Sequence, residues 1–263
     1  MRRPASLDQH RPGARRDTVN VFGYDVFNQD LLAIPLEPGR CRMLNTIGPD
    51  TYGIAVNDPS MASALKASDY LVLDGVYFAL GSILTRGETI RPNQGPFVFD
   101  HFMARLNKAG GRAFFLGAAP ATIEKILAKT STLYPNIKCA GLSPPFKPEF
   151  DEADNDAMVE AVNAFAPDIL FIGMSAPKQE KWAHRNRDRL NAKLTVAIGA
   201  VFDWYSGVVP PLAPIWFKLR MAWLGRIVQN PRNLRRMKLK GIFLWHLAQA
   251  VVRVRPSYEQ RAG

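Results

Sequence analysis

The chain is expected to form an α/β fold: a parallel sheet flanked by helices, with a basic helical appendage at its C-terminal end. Three observations predict it. Apolar runs of strand length alternate with amphipathic runs of helix length between residues 19 and 203. Strand–helix–strand units of that length need parallel strands joined by crossover helices. Beyond residue 210 the pattern changes to prolines, then basic and aromatic residues at helical spacing.

The elements follow in order. Residues 1–18 are polar, with Arg and Pro, and are expected to be disordered. Val19 to Phe27 alternates enough for a short strand or hairpin. Cys41 to Leu44 suits a strand, Tyr52 to Ser68 a helix, and Tyr70 to Leu73 a strand ending at Asp74. A strand-like run covers Gly87 to Ile90. Gln94-Gly95-Pro96 opens a helix from Phe97 to Ala109. Arg112 to Leu116 suits a strand, and Gly117-Ala-Ala-Pro120 turns into a helix that reaches Tyr134. A strand from Ile137 to Ala140, a loop from Pro144 to Phe150 and a helix from Asp151 to Phe165 come next. The last strands are expected at 168–173 and 194–199, the second ending at Val201-Phe-Asp203. Between them lies a helix from Lys178 to Leu190. Pro177 suits its first position and Ser175 its cap. The boundaries are then a tail at 1–18, an α/β core at 19–209, an appendage at 210–255 and a tail at 256–263.

Composition narrows the classes. Of 263 residues, 47% are apolar, enough for a full core. Two cysteines, Cys41 and Cys139, make no disulfide framework and fit no zinc spacing, so a reducing, cytosolic compartment is expected. No apolar run is long enough to span a bilayer, and no signal peptide is visible. The G-x-G-x-x-G and G-x-x-x-x-G-K-[ST] fingerprints are absent, which argues against a dinucleotide dehydrogenase or a P-loop enzyme.

The net charge is +11, and it is unevenly placed. Residues 21–203 carry 18 basic and 20 acidic residues, whereas residues 204–263 carry 11 basic residues and the single acid Glu259. A basic end on a near-neutral body points to an anionic membrane surface rather than to nucleic acid. The appendage reads as an interfacial amphipathic pair. The other reading packs its apolar stripe on the sheet and leaves the bases as a solvated face.

Candidate site residues collect at strand ends. Asp74 ends one strand, and Gly75 lets the backbone turn. A carboxylate there suits a general base on an acceptor hydroxyl, or a cap for the helix from Tyr77. Lys178 can pair with phosphate, and Gln179 can both donate to and accept from a sugar or base. Both sit at a helix N-terminus on the sheet edge where α/β ligands bind. Asp203 suits ribose or sugar hydroxyls, or a structural ion pair. Arg91 suits diphosphate charge, or plain surface. Gly117 allows close approach of a ligand to backbone N–H groups. Trp182 is read as helix packing.

Several of these stretches resemble one family. Gly173-Met-Ser-Ala-Pro-Lys-Gln-Glu-Lys-Trp182 and Gly199-Ala-Val-Phe-Asp203 resemble the G-x-(small)-P-K-Q-E-x-W and G-x-x-F-D elements of the WecG/TagA/CpsF glycosyltransferases. Thr46-Ile-Gly-Pro-Asp50 resembles the family's T-x-N-P-E, and Leu73-Asp74-Gly75 its P-D-G. The likeness covers roughly Val19 to Arg255. It departs where the family's Asn falls on Gly48, an Asp on Pro96, an Arg on Leu212 and a Glu on Ala222, all of which bear on donor and acceptor identity.

The resemblance implies a Rossmann-like fold and an inverting transfer from a UDP-sugar to a polyprenyl-diphosphate-linked saccharide, without an obligatory metal or other cofactor. The sugar would be of N-acetylmannosamine type or a related hexose or uronic acid, and the role cell-surface or exopolysaccharide synthesis. Asp74 would be the base. Arg91 and C-terminal bases would offset the departing UDP. Thr46, Gln179 and Asp203 would position donor and acceptor, with Gly75, Gly117 and Lys178 around them. The protein would lie in the cytoplasm, peripheral to the inner face of the membrane, with homo-oligomerisation open. The rivals are a non-enzymatic α/β module that binds a polyanion through its basic tail, and a sugar-nucleotide hydrolase.

Overall fold

The computed structural model describes residues 17–259 apart from 76, 92, 94, 211, 214, 217, 218, 220 and 230, with backbone alone at 222, 223, 232, 233 and 254–259. The expected disordered tail lies outside the described residues except for 17 and 18. So do the Gln94 side of the helix start and residues 260–263.

A β1–β2 hairpin, Thr18–Val21 and Tyr24–Phe27, precedes the main sheet. The sheet has six parallel strands in the order β4-β3-β8-β7-β5-β6. They are β3 Arg42–Ile47, β4 Tyr70–Leu73, β5 Arg112–Gly117, β6 Lys138–Leu142, β7 Ile169–Gly173 and β8 Leu194–Ala197. β7 and β8 are buried along their whole length, as strands covered on both faces must be.

One face packs on α4 (Gly95–Ala109), α5 (Pro120–Leu133) and α8 (Val201–Tyr205), through Phe99, Phe102, Ile126 and Phe202 against Phe115, Phe171 and Val196. The other face packs on α6 (Glu152–Phe165) and α7 (Lys178–Asn186), through Val159, Val162 and Trp182. The expectation that Trp182 packs in the core holds. Around the β4 side a third cluster joins the hairpin, α1 (Pro49–Asn57), α2 (Pro59–Lys66) and α3 (Leu80–Arg86). α1 follows β3 and α8 follows β8. These neighbouring strands thus send their helices to opposite faces, the arrangement at whose C-terminal edge open α/β sheets bind ligands.

Several expectations are corrected. The helix expected from Tyr52 to Ser68 is two helices, because Pro59 starts a new one and the Asp58 carboxylate accepts from the N–H groups of Ser60 and Met61. Residues 87–90 form no strand. Gly87, at φ 69°, ends α3, and the Glu88 carbonyl accepts the Ser82 hydroxyl. β8 stops at Ala197, where Ile198 and Gly199 both donate to Ile172 O, so Asp203 lies in α8 and not at a strand end. Ser175 does not cap α7: its backbone carbonyl only closes a turn by accepting from Lys178 N at 2.9 Å, and Pro177, expected at the first helical position, stands in the cap position without a side-chain bond.

The C-terminal part contains α9 (Ala222–Gln229), a 3₁₀ turn (Pro231–Arg236) and α10 (Met237–Glu259), so the tail boundary expected at 255 falls within a helix. α10 lies on α1. A Cβ on Gly53 would sit 2.5 Å from the Leu239 carbonyl oxygen, so only glycine permits this approach. Phe243, 1% exposed, enters the third cluster, with ring centroids 5.4 Å from Phe78 and 6.0 Å from Tyr52. The Tyr52 hydroxyl and His246 Nδ1 are hydrogen-bonded at 2.7 Å. The inner face of α10 is therefore core, although it packs on α1 and not on the sheet as the second reading of the appendage expected.

The outer face of α10 differs. Leu244 and Trp245 are 58% and 64% exposed, Val252 is exposed too, and so are the basic residues Lys238 and Arg253. No described helix is long and apolar enough to cross a membrane.

The two faces give a clear contrast. Phe243→Ala is expected to lower unfolding free energy by about 3–5 kcal/mol, and Trp245→Ala by less than about 0.5 kcal/mol. Urea denaturation of the two variants checks this; equal losses would mean that α10 is not docked by its Phe243 face.

Candidate active site

The site is built at the C-terminal ends of β3, β4, β7 and β8. β3 leads through Gly48 into α1, where Thr51 Oγ1 accepts from Gly48 N at 2.8 Å. A Cβ at Gly48 would lie 2.6 Å from the Asp74 carbonyl oxygen. The bare glycine thus lets the β3 and β4 loops touch. Asp74 N donates to Ile47 O at 2.7 Å, which fixes the turn, and Gly75 continues it at φ 83°. The Asp74 carboxylate is left exposed.

Two more carboxylates stand near it. Asp50 is in the first turn of α1, where a negative charge suits the helix dipole. Its pKa is raised by burial, opposed by Lys240 and Arg236, and raised further by Asp74. Lys240 Nζ lies 3.7 Å from Asp50 Oδ1, an ion pair brought in by α10. Glu180, in the first turn of α7, is 0% exposed. Burial pushes its carboxyl up to about 7 against the bond from Gln179; Arg236 opposes the rise and Asp74 adds to it. So Asp50, Asp74 and Glu180 share one neighbourhood with Arg236 and Lys240.

Gln179 is 4% exposed and sits inside this framework. Its Nε2 donates to Glu180 Oε1 at 2.8 Å, and its Oε1 accepts from Gly199 N at 3.0 Å. The amide thereby ties the start of α7 to the turn after β8. Thr46, buried, is the penultimate residue of β3 and pairs in register with Val72 of β4.

The other expected residues have surroundings of their own. Arg91 is ion-paired with Asp30, and its N–H donates to Asn28 Oδ1 at 2.8 Å. Lys178 Nζ donates to the Lys147 carbonyl and stands 4.7 Å from the Phe150 ring, toward the loop before α6. Gly117 ends β5 at φ 125°; a Cβ there would lie 2.5 Å from Gly173 O. Asp203 is half-buried in α8, with its pKa raised by that burial.

Sequence reading missed Asp50 and Glu180 as members, although both stand inside the quoted T-x-x-P-D and P-K-Q-E stretches. It expected bases from the C-terminal part without singling out Arg236 or Lys240 as site residues.

Comparison with known proteins bears on this geometry. A family model described as the glycosyl transferase WecG/TagA/CpsF family matches residues 19–257. Among curated relatives, an N-acetylglucosaminyldiphosphoundecaprenol N-acetyl-beta-D-mannosaminyltransferase of Bacillus subtilis (strain 168) is 29% identical over 196 residues, 74% of each chain. The protein of the same name from Bacillus spizizenii is 26% identical over 206 residues, 77% of each chain. That from Staphylococcus aureus (strain MW2) is 22% identical over 205 residues, 78% of this chain and 79% of the relative.

Glu180 gives the site a pH signature. A carboxyl near 7 in the folded chain and near 4.5 when unfolded binds more protons folded, so stability falls as pH rises between those values. Replacing it by Gln removes that fall. Glu180→Gln is expected to match the parent below about pH 4.5 and to exceed it above about pH 7, by on the order of 3 kcal/mol. Thermal melts across pH check this; a gap that does not change with pH would contradict it.

Proposed function

This chain belongs to the glycosyl transferase WecG/TagA/CpsF family, and from that premise we propose that it moves a sugar from a UDP-sugar to a polyprenyl-diphosphate-linked saccharide, with inversion. The observation that carries the reading is that an exposed carboxylate, Asp74, and two cations of the C-terminal segment, Arg236 and Lys240, all bear on Asp50, with Asp74 and Arg236 bearing on Glu180 as well. A base and a counter-charge for a diphosphate leaving group are the two things such a transfer needs from the protein. The names of the relatives favour N-acetylmannosamine as the sugar and a diphosphoundecaprenol-linked N-acetylglucosamine as the acceptor.

In the proposed step, Asp74 takes the proton of the acceptor hydroxyl as that oxygen attacks the anomeric carbon. The bond from that carbon to the diphosphate oxygen breaks, and UDP leaves with the electron pair. Attack from the face opposite the leaving group inverts the centre. Arg236 and Lys240 offset the charge that develops on UDP, with Arg91 at the outer side if the Asp30 pair opens. Thr46 and Gln179 position the reactants, Gly75 and Gly117 let backbone come close, and Lys178 and Asp203 line the approaches. The reading calls for no obligatory metal or cofactor.

The outer face of α10 supports a peripheral position on the inner face of the cell membrane, where a lipid-linked acceptor is found. Leu244, Trp245 and Val252 are apolar and exposed beside Lys238 and Arg253. Each basic residue near anionic lipid contributes about 1 kcal/mol, and that attraction decays over about 8 Å at physiological salt.

One assay tests both halves. With a UDP-sugar and a long-chain lipid acceptor in anionic vesicles, Asp74→Asn is expected to lower turnover by ~10²–10⁴-fold with UDP binding retained. In the same assay Trp245→Glu is expected to shift the protein from the vesicle pellet to the supernatant. Near-parent turnover by Asp74→Asn would remove Asp74 as the base. Release of free sugar irrespective of acceptor would make the protein a hydrolase.

A further inference from the structure

The transfer step leaves one buried ionisable group without a task. Glu180 is 0% exposed, and among the described residues its Oε2 has no hydrogen-bond partner. Burying a carboxyl without a bonded cation destabilises a fold, and an apolar residue of similar volume is often neutral or better. To hold the Gln179 amide alone, a glutamine would serve. Neither packing nor simple orientation calls for a group that ionises.

The charges that bear on Glu180 come from separate elements. Asp74 acts from the end of β4, and Arg236 from the turn before α10. His184, whose Nδ1 is buried without a partner, lies one helical turn further along α7. Glu180 therefore feels both the base and a counter-charge of the proposed transfer, from the first turn of a helix on the ligand edge of the sheet.

We propose that Glu180 is a positioning residue of the donor site, which orients the Gln179 amide and takes up a proton when a nucleoside diphosphate enters. The proposal rests on the reading that the donor carries UDP. A bound diphosphate engages Arg236, which then offsets Glu180 less, and adds negative charge to a site that already holds Asp50 and Asp74. Like charges favour the neutral carboxyl. The proton comes from solvent, and no other bond changes. Once protonated, the carboxyl still accepts from the Gln179 amide through Oε1, so the amide keeps its orientation while the buried charge is lost. Burial already holds the group near neutrality, which brings the uptake into the working pH range. Because binding gains a proton, UDP affinity rises as pH falls toward 7.

Titration calorimetry with UDP on the full chain, at pH 8 in two buffers of different ionisation enthalpy, reads the proton count. UDP itself scarcely titrates there, since a terminal phosphate has its second pKa near about 6. The parent is expected to take up roughly half to one proton per UDP bound. Glu180→Gln, which keeps an acceptor for the Gln179 amide, is expected to bind UDP with almost no uptake. Glu180→Leu is expected to fold at least as stably yet bind UDP about tenfold more weakly, because the amide loses its partner. Should Glu180→Leu fail to fold, the Gln variant decides alone. Parent binding without proton uptake, or uptake that survives in Glu180→Gln, overturns the inference and leaves the donor reading standing. No UDP binding by the parent overturns both.

Discussion

The C-terminal edge of the sheet depends on how closely α10 approaches α1. Gly53 has no Cβ, so the Leu239 backbone can lie directly on it. That contact sets the register in which Phe243 enters the cluster around Tyr52 and Phe78. It also sets the height of Lys240 opposite Asp50 and of Arg236 near Glu180. A larger residue at 53 would push the helix outward, and the cations would leave with it. The appendage is thus a structural and an electrostatic part of the site.

The two ends of the sheet are treated differently. At the N-terminal end the charges are paired. Arg187 is ion-paired with Asp69 and donates to the carbonyls of Cys41 and Ala67, while Asp69 Oδ2 accepts from Met43 N at 2.8 Å. Asp168 accepts from Arg112 N at 2.7 Å and pairs with Lys193 at 2.5 Å. At the C-terminal end Asp74 is exposed, Asp50 lies 3.7 Å from Lys240 Nζ, and Glu180 is buried with one oxygen unpartnered among the described residues. Buried, under-paired charge lowers stability and is retained where function needs it.

Much of the fold was legible because buried parallel strands are continuous apolar runs. Ile169–Gly173 and Leu194–Ala197 could be read directly, and so could the Asp151-capped helix α6. Errors fell where a single residue overrules its neighbours. Pro59 divides one expected helix into two, and Gly87 turns a strand-like run into a loop. Asp74 and Gly75 were legible as a strand end. Glu180 was not, although its motif was, because its character comes from complete burial and from Arg236, a residue from the far end of the chain. The outward-facing Trp245 and the inward-facing Phe243 belong to one apolar stretch, and only the packing on α1 tells them apart.

The C-terminal segment is proposed to supply charge to the donor. UDP affinity of Arg236→Ala against the parent, by titration calorimetry, tests this most directly, because Arg236 is exposed and its loss leaves the core intact. At least about a tenfold loss of affinity is expected, the worth of one charge-assisted hydrogen bond, with the melting temperature unchanged. Unchanged UDP affinity in that variant would contradict it.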